Sequence, residues 1–161
     1  NQFGLKAISP EEINHLPSGS ADCITFWHVL EHLYDPAEWF NNVARVLKDD
    51  GKCILALPNF SSSDALWFGK WWAALDVPRH LWHFTPEALR LFAGRNGFTC
   101  ERIASLPLDL FYISILSYRN KGIPMPLLRG VMTGMFLGIR SGFRKQRSSS
   151  LVYILSKNKL T

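Results

Sequence analysis

The sequence predicts an α/β fold, with a mostly parallel sheet, an antiparallel last strand and a helical insertion before that strand. Three observations carry this expectation. Two apolar runs, ADCITFW at 21–27 and GKCILALPN at 51–59, bracket one amphipathic helix; strands that are apolar throughout belong in a parallel sheet covered on both faces. A second helix-then-strand unit follows at 85–107, and strands alternating with helices point to crossover connections. The run SLVYILSK at 150–157 returns after the long segment 107–149, a separation that lets the last strand enter antiparallel between its neighbours.

Each element has local grounds. LKAIS at 5–9 is a short strand candidate, followed by a polar loop with Pro10, Pro17 and Gly19. ADCITFW reads as a buried strand. In DPAEWFNNVARVLKDDG, Asp35 can cap a helix, Pro36 suits its first position, and Glu38 stands where a capping box wants an acid. Trp39, Phe40, Val43, Val46 and Leu47 form its apolar stripe, and Gly51 is expected to end it. Pro58 stops the next strand. A helix is expected after serines 61–63, with Trp67 over Trp71 and Phe68 over Trp72 at four-residue spacing. LDVPRHLWHF is loop-like around Pro78. TPEALRLFAGRNG repeats the helix grammar, with Thr85 as cap, Pro86 first and Gly97 as the stop, and FTCERIASLP at 98–107 is a strand.

A chain of 161 residues accommodates one domain with a real core, here 1–106 with 150–161, carrying the insertion 107–149. Hydrophobic content of 47% against 19% charged excludes a disordered chain. Cys23, Cys53 and Cys100 lie in apolar runs without CxxC spacing, which predicts buried free thiols in a reducing cytoplasm. Nothing at the front resembles a signal peptide and Asn1 is not an initiator, so the chain is expected to be a mature product or part of something longer. Charge is divided: residues 1–101 hold 8 Lys/Arg against 12 Asp/Glu, a net of −4, while residues 102–161 hold 10 against 1, a net of +9. Any anionic partner belongs to the last third, where Asp109 is the lone acid.

With ADCITFWHVLEHLYDPAEWFNNVARVLKDDGKCILALPN followed by DVPRHLWHFTPEALRLFAGRNGF, the chain resembles the second half of a class I S-adenosylmethionine-dependent methyltransferase. The resemblance runs from residue 5 to 103 and extends to the last strand at 151–156. It implies a partial doubly wound, Rossmann-like sheet, methyl transfer, and S-adenosyl-L-methionine as cofactor. The family's Gly-rich loop and ribose-binding acid have no counterpart, because the sequence contains no GxG. The chain alone is therefore expected to bind the cofactor weakly or not at all, since those glycines let the backbone approach the ligand.

Ligands in such a fold sit at the carboxyl ends of the strands, so the resemblance places Phe26, Trp27 and His28 beside the cofactor. WHVLEH has a chemistry of its own: on a helix, His28, Glu31 and His32 would share one face. One reading is metal, with His28, Glu31, His32 and His80 as ligands. The sequence is similar there to metal-dependent O-methyltransferases of ubiquinone biosynthesis and small-RNA ends, with His28 in place of the first glutamate of their E..EH stretch. In the small-RNA family a downstream loop adds a histidine, which His80 or His83 could match. Two or three imidazoles suit Zn²⁺, Mn²⁺ or Fe²⁺ better than Mg²⁺. A second reading is direct acid/base work by His28 or His83, imidazole titrating nearest neutrality. A third has Glu31 and His32 only anchoring loops. On the acceptor side, Arg79 could grip a carboxylate or phosphate, or pair instead with Asp76 or Glu31. His80 lies beside it, and Trp71 and Trp82, with Trp67 and Trp72, form either a lid or core.

In the insertion, two apolar helix candidates span 108–118 and 126–143, the second with Gly130, Gly134, Gly138 and Gly142 on one face. Neither reaches the roughly 20 uninterrupted apolar residues of a transmembrane helix. They are expected to cap the active site, or to lie on a membrane with Arg119, Lys121, Arg129, Arg140, Arg144, Lys145 and Arg147 near anionic headgroups. The expected location is cytoplasmic, peripheral at the membrane in the second case. The leading function is methylation of a small-molecule or lipid-like acceptor. The alternatives are a non-catalytic binding module and a nucleic-acid methyltransferase, the latter disfavoured because the basic region is so apolar. A homodimer formed through an open sheet edge is a further expectation.

Overall fold

The computed structural model describes residues 9–140 and 144–158. The strand candidate at 5–9 lies outside the described residues except for Ser9, and Gly142 lies outside them altogether. The elements run β1 (Ala21–Trp27), α1 (Pro36–Val46), β2 (Leu47–Pro58), α2 (Ser63–Phe68), α3 (Pro86–Arg95), β3 (Phe98–Leu106), α4 (Asp109–Asn120), α5 (Pro126–Arg140) and β4 (Ser150–Lys157), with short 3₁₀ turns between them.

The sheet has the order β1-β2-β4-β3. β1 pairs parallel with β2, while β4 lies antiparallel between β2 and β3. Three strands therefore run one way and the last runs against them, as the sequence predicts. The insertion supplies the chain length that lets β4 re-enter between strands already laid down.

The helix signals fold as their chemistry requires. Asp35 Oδ1 accepts from the backbone N–H groups of Ala37 and Glu38, both at 3.0 Å, and Pro36 opens α1. Thr85 Oγ1 accepts from Ala88 N at 3.1 Å, and Pro86 opens α3. These bonds satisfy amide donors that have no carbonyl partner in the first turn. Phe40 and Val43 of α1 and Leu89 and Ala93 of α3 join Leu55, Tyr153 and Leu155 of the sheet in one buried core. Burial pushes the Tyr153 hydroxyl pKa well above its ordinary value, and that of Cys53 to about 12.

Four local expectations are corrected. ADCITFW is not a buried strand: among the described residues β1 is the sheet's edge, and of its residues only Phe26 is buried. Cys23 is accordingly exposed. α1 ends at Val46 instead of reaching Gly51, which sits inside β2. Its smallness serves packing there, since a Cβ would fall 2.7 Å from Leu47 Cγ and 3.0 Å from the Asp22 carbonyl. The helix after Ser62 ends at Phe68, with Gly69 at φ +54°, so Trp71 and Trp72 are not carried on it, although Phe68 and Trp72 still share one buried cluster. The sheet is also not covered evenly: Ile54, Val152 and Ile154 on its second face are only half-buried.

Candidate active site

β1 delivers its last residues to the carboxyl end of the parallel pair. The His28 N–H still donates to the Ala56 carbonyl at 2.9 Å, extending the ladder by one bond. The chain then turns sharply, with His28 at φ +53°. A non-glycine residue in the left-handed region is uncommon, and such strain concentrates at functional sites. Leu30–His32 form a 3₁₀ turn that buries Leu30 and Glu31. WHVLEH is therefore not one helix face. His28 reaches back to Glu31, while His32 turns away and donates its Nδ1–H to the Arg79 carbonyl at 2.9 Å.

A cleft of about 790 Å³ opens at this edge, between the ends of β1 and β2, the turn around Asp76, and α4. His28, Asp76, Arg79, His80, Asp109 and Arg119 supply its polar wall. Tyr112, Ile113 and Leu116 supply an apolar one. His28 stands between two carboxylates, with Nδ1 3.4 Å from Glu31 Oε1 and Nε2 4.0 Å from Asp109 Oδ2. The contact with Glu31 raises the His28 pKa above its ordinary value; partial burial opposes the rise, and the charges of Glu31 and Asp109 add to it.

Glu31 is the unusual group. Its side chain is 1% exposed, and neither carboxylate oxygen accepts a hydrogen bond among the described residues. Its surroundings are imidazoles: His28 at 3.4 Å and His80 Nε2 at 4.0 Å from Oε1. His80 donates Nδ1–H to the Ala74 carbonyl at 2.8 Å. Because a carbonyl only accepts, Nδ1 of both His32 and His80 carries the hydrogen in these bonds. One ligand atom from each of Glu31, His32 and His80 falls within 4.8 Å of the others.

Arg79 donates Nε and Nη2 to Asp76 Oδ1 at 3.2 and 2.8 Å, while its side chain stays largely exposed at the cleft. His83 does not line the cleft; it bonds the Leu75 carbonyl through Nε2 at 2.8 Å and packs against Phe60. Phe26 lies beneath the site, edge-on to Trp39, while Trp27 is exposed. Trp82 bonds the Leu33 carbonyl at 2.8 Å, and Trp71 lies under Lys70; neither lines the cleft. Trp72 is core, donating Nε1–H to buried Asp64 at 2.7 Å. The residues absent from the sequence reading of the site are Asp109, Tyr112 and Arg119 of α4. A signal existed for Asp109, the single acid of a strongly basic third.

Comparison with known proteins agrees with this fold. A methyltransferase-domain family matches residues 3–103. An S-adenosylmethionine-dependent methyltransferase from Archaeoglobus fulgidus superposes with a TM-score of 0.54 at 19% identity, over 96% of this chain and 66% of its own. One from Thermotoga maritima gives 0.55 at 15% identity, over 89% and 59%. A Haloferax volcanii methyltransferase solved with the Trm112 activator gives 0.58 at 13% identity, over 91% and 57%. The present chain thus spans less than two-thirds of the length of each. No curated protein sequence matches. With the strand order, the cleft at the strand ends and a family match over more than half its length, the chain belongs to the methyltransferase-domain family.

Proposed function

We propose that this chain forms the acceptor side of an S-adenosylmethionine-dependent methyltransferase acting on a small-molecule or lipid-like acceptor, with His28 as the general base. The observation that carries the reading is the position of His28, held between Glu31 and Asp109 at the mouth of the cleft. When bound, S-adenosylmethionine supplies an electrophilic methyl group. Trp27 and His28 would line its methyl side, over the packed ring of Phe26. These residues fit one wall of such a site, while the sequence offers no glycine loop for the opposite one.

The acceptor would lie between His28 and α4, with Tyr112, Ile113 and Leu116 against its apolar part. Neutral His28 takes a proton from an acceptor O–H or N–H, a step that contributes typically ~10²–10⁴-fold. Glu31 orients the ring, and Glu31 and Asp109 stabilise the imidazolium that forms. Arg79, His80 and Arg119 line the polar side and would hold an anionic or hydrogen-bonding substituent. Trp71 and Trp82 would meet only an acceptor long enough to leave the cleft. The test is transfer of labelled methyl from S-adenosylmethionine by the full-length protein to panels of alcohols, phenols, amines and lipid extracts. Cofactor binding without transfer to any of these classes contradicts the reading.

A second reading concerns metal, and the buried, unbonded Glu31 carboxylate favours it. Glu31, His32 and His80 could hold one Zn²⁺, Mn²⁺ or Fe²⁺ ion, with the Nδ1–H bonds to the Arg79 and Ala74 carbonyls orienting the two rings. The ion would satisfy the carboxylate and fix the turn that carries His28. Titration of the metal-free protein with each ion tests this, and no binding in any titration ends it.

A further inference from the structure

α5 is built inside out. The residues it buries are Gly130, Thr133, Gly134, Leu137 and Gly138. Gly130 and Gly134 are seated so closely on α4 that a Cβ would lie 2.6 Å from the Ile115 backbone and from the Phe111 ring, respectively. Leu137 apart, its large apolar side chains point outward: Leu128, Val131, Met135 and Ile139 make one exposed stripe, and Met132 and Phe136 stand beside it between Arg129 and Arg140. Phe136 meets the exposed Trp67 of α2 at 5.9 Å between ring centroids, which carries the patch onto a second element. A helix facing water shows the reverse distribution, and a contiguous apolar face of this kind marks a surface that is covered in use.

The charge around the patch selects what covers it. Beyond Asp109 the sequence has no acid, and basic side chains bracket both ends of α5. Arg140, Arg144 and Arg147 converge on a groove of about 450 Å³ whose other wall is Leu66, Trp67 and Leu137. Three guanidiniums opposite an indole and two leucines suit a phosphate attached to an acyl chain. No helix among the described residues is long and apolar enough to cross a membrane, so contact would lie in the plane of the surface. Helices joined through small residues, with their large apolar groups outside, are suited to hydrocarbon as the outer solvent.

We infer that the outer face of α5, continued by Trp67, docks onto an anionic lipid bilayer, with the Arg140–Arg144–Arg147 groove seating a lipid phosphate. The inference goes beyond the methyl-transfer reading, and its readout is independent of turnover. The test is co-sedimentation of the full-length protein with phosphatidylcholine vesicles, with and without phosphatidylglycerol. Selective pelleting with the anionic vesicles is expected. Arg140→Glu and Arg144→Glu should each lower the partition coefficient at least roughly fivefold, as expected for loss of one basic contact. Met135→Glu with Ile139→Glu, both exposed, should abolish pelleting while leaving the circular dichroism spectrum unchanged; should that variant misfold, the arginine variants carry the test. Equal pelleting with neutral vesicles, no pelleting, or a dimer that the Met135/Ile139 variant splits without any vesicle binding would each overturn the proposal.

Discussion

His28 Nδ1 lies 3.4 Å from Glu31 Oε1, so an exposed imidazole at the end of an edge strand is tied to a carboxylate buried beneath the turn that follows. The pair joins the two halves of the site. The 3₁₀ turn Leu30–His32 fixes Glu31 in the interior, and the left-handed backbone at His28 aims its ring across the cleft toward Asp109.

This relationship sets a pH dependence. The His28 pKa is raised, so its imidazole is neutral only above a pH higher than for a free imidazole. Transfer rate should rise with pH through that raised value. Glu31→Gln removes the principal cause and should move the inflection toward the ordinary value. The stability linkage has the opposite direction: with a raised folded pKa, the contribution of charged His28 is complete below its unfolded pKa and is lost as pH climbs through the folded one. A pH–rate profile for the two proteins, with an unshifted inflection, would remove Glu31 from this role.

Asp64 provides a structural control away from the cleft. Burial raises its pKa, against the hydrogen bonds from Trp72 and neighbouring groups. Since the folded pKa of this acid is raised, its stabilising contribution is complete below the unfolded pKa and fades as pH rises through the folded value. Asp64→Asn keeps an acceptor for Trp72 and removes a buried charge, so it should flatten the pH dependence of stability and raise Tm near neutrality. Trp72→Phe removes the donor and should cost about 1–3 kcal/mol. Denaturant titrations across pH check both.

The seam between α4 and α5 can be probed in the same way. Gly130→Ala would put a methyl group against the Ile115 backbone, which cannot step aside alone; Gly134→Ala meets the Phe111 ring, which can turn. The first should lose about 1–3 kcal/mol and the second less. The Tyr118 hydroxyl to Thr133 Oγ1 bond at 2.9 Å joins the same two helices. Equal Tm changes for the two alanine variants would mean that the hairpin relaxes as a unit.

For the metal reading, Zn²⁺ or Mn²⁺ should raise the Tm of the wild-type protein, by an amount that grows with free ion concentration. His80→Ala and Glu31→Gln should both remove the increase. An increase that survives in both variants would place the ion elsewhere.

Much of the fold was legible because its signals are local. Asp35-Pro36 and Thr85-Pro86 cap and open their helices whatever surrounds them, and a return strand after a long insertion has few ways into a sheet. What was not legible depends on neighbours. ADCITFW has the composition of a central strand, yet among the described residues β1 pairs on one side only, and a strand's own residues do not report what lies beside it. Gly51 reads as a helix stop but is small because Leu47 and the Asp22 carbonyl crowd it. In the site, the link from His28 to Glu31 could be seen from their spacing. The facing residues of α4 could not, because Asp109 comes to the cleft only through the packing of the insertion, 81 positions along the chain from His28.

The most direct test of the central claim is a comparison of the full-length protein with its His28→Gln variant, measuring S-adenosylmethionine affinity by calorimetry and single-turnover methyl transfer side by side. The account predicts that affinity stays within experimental error while transfer falls roughly 10²–10⁴-fold. Transfer at the wild-type rate in the variant would contradict it.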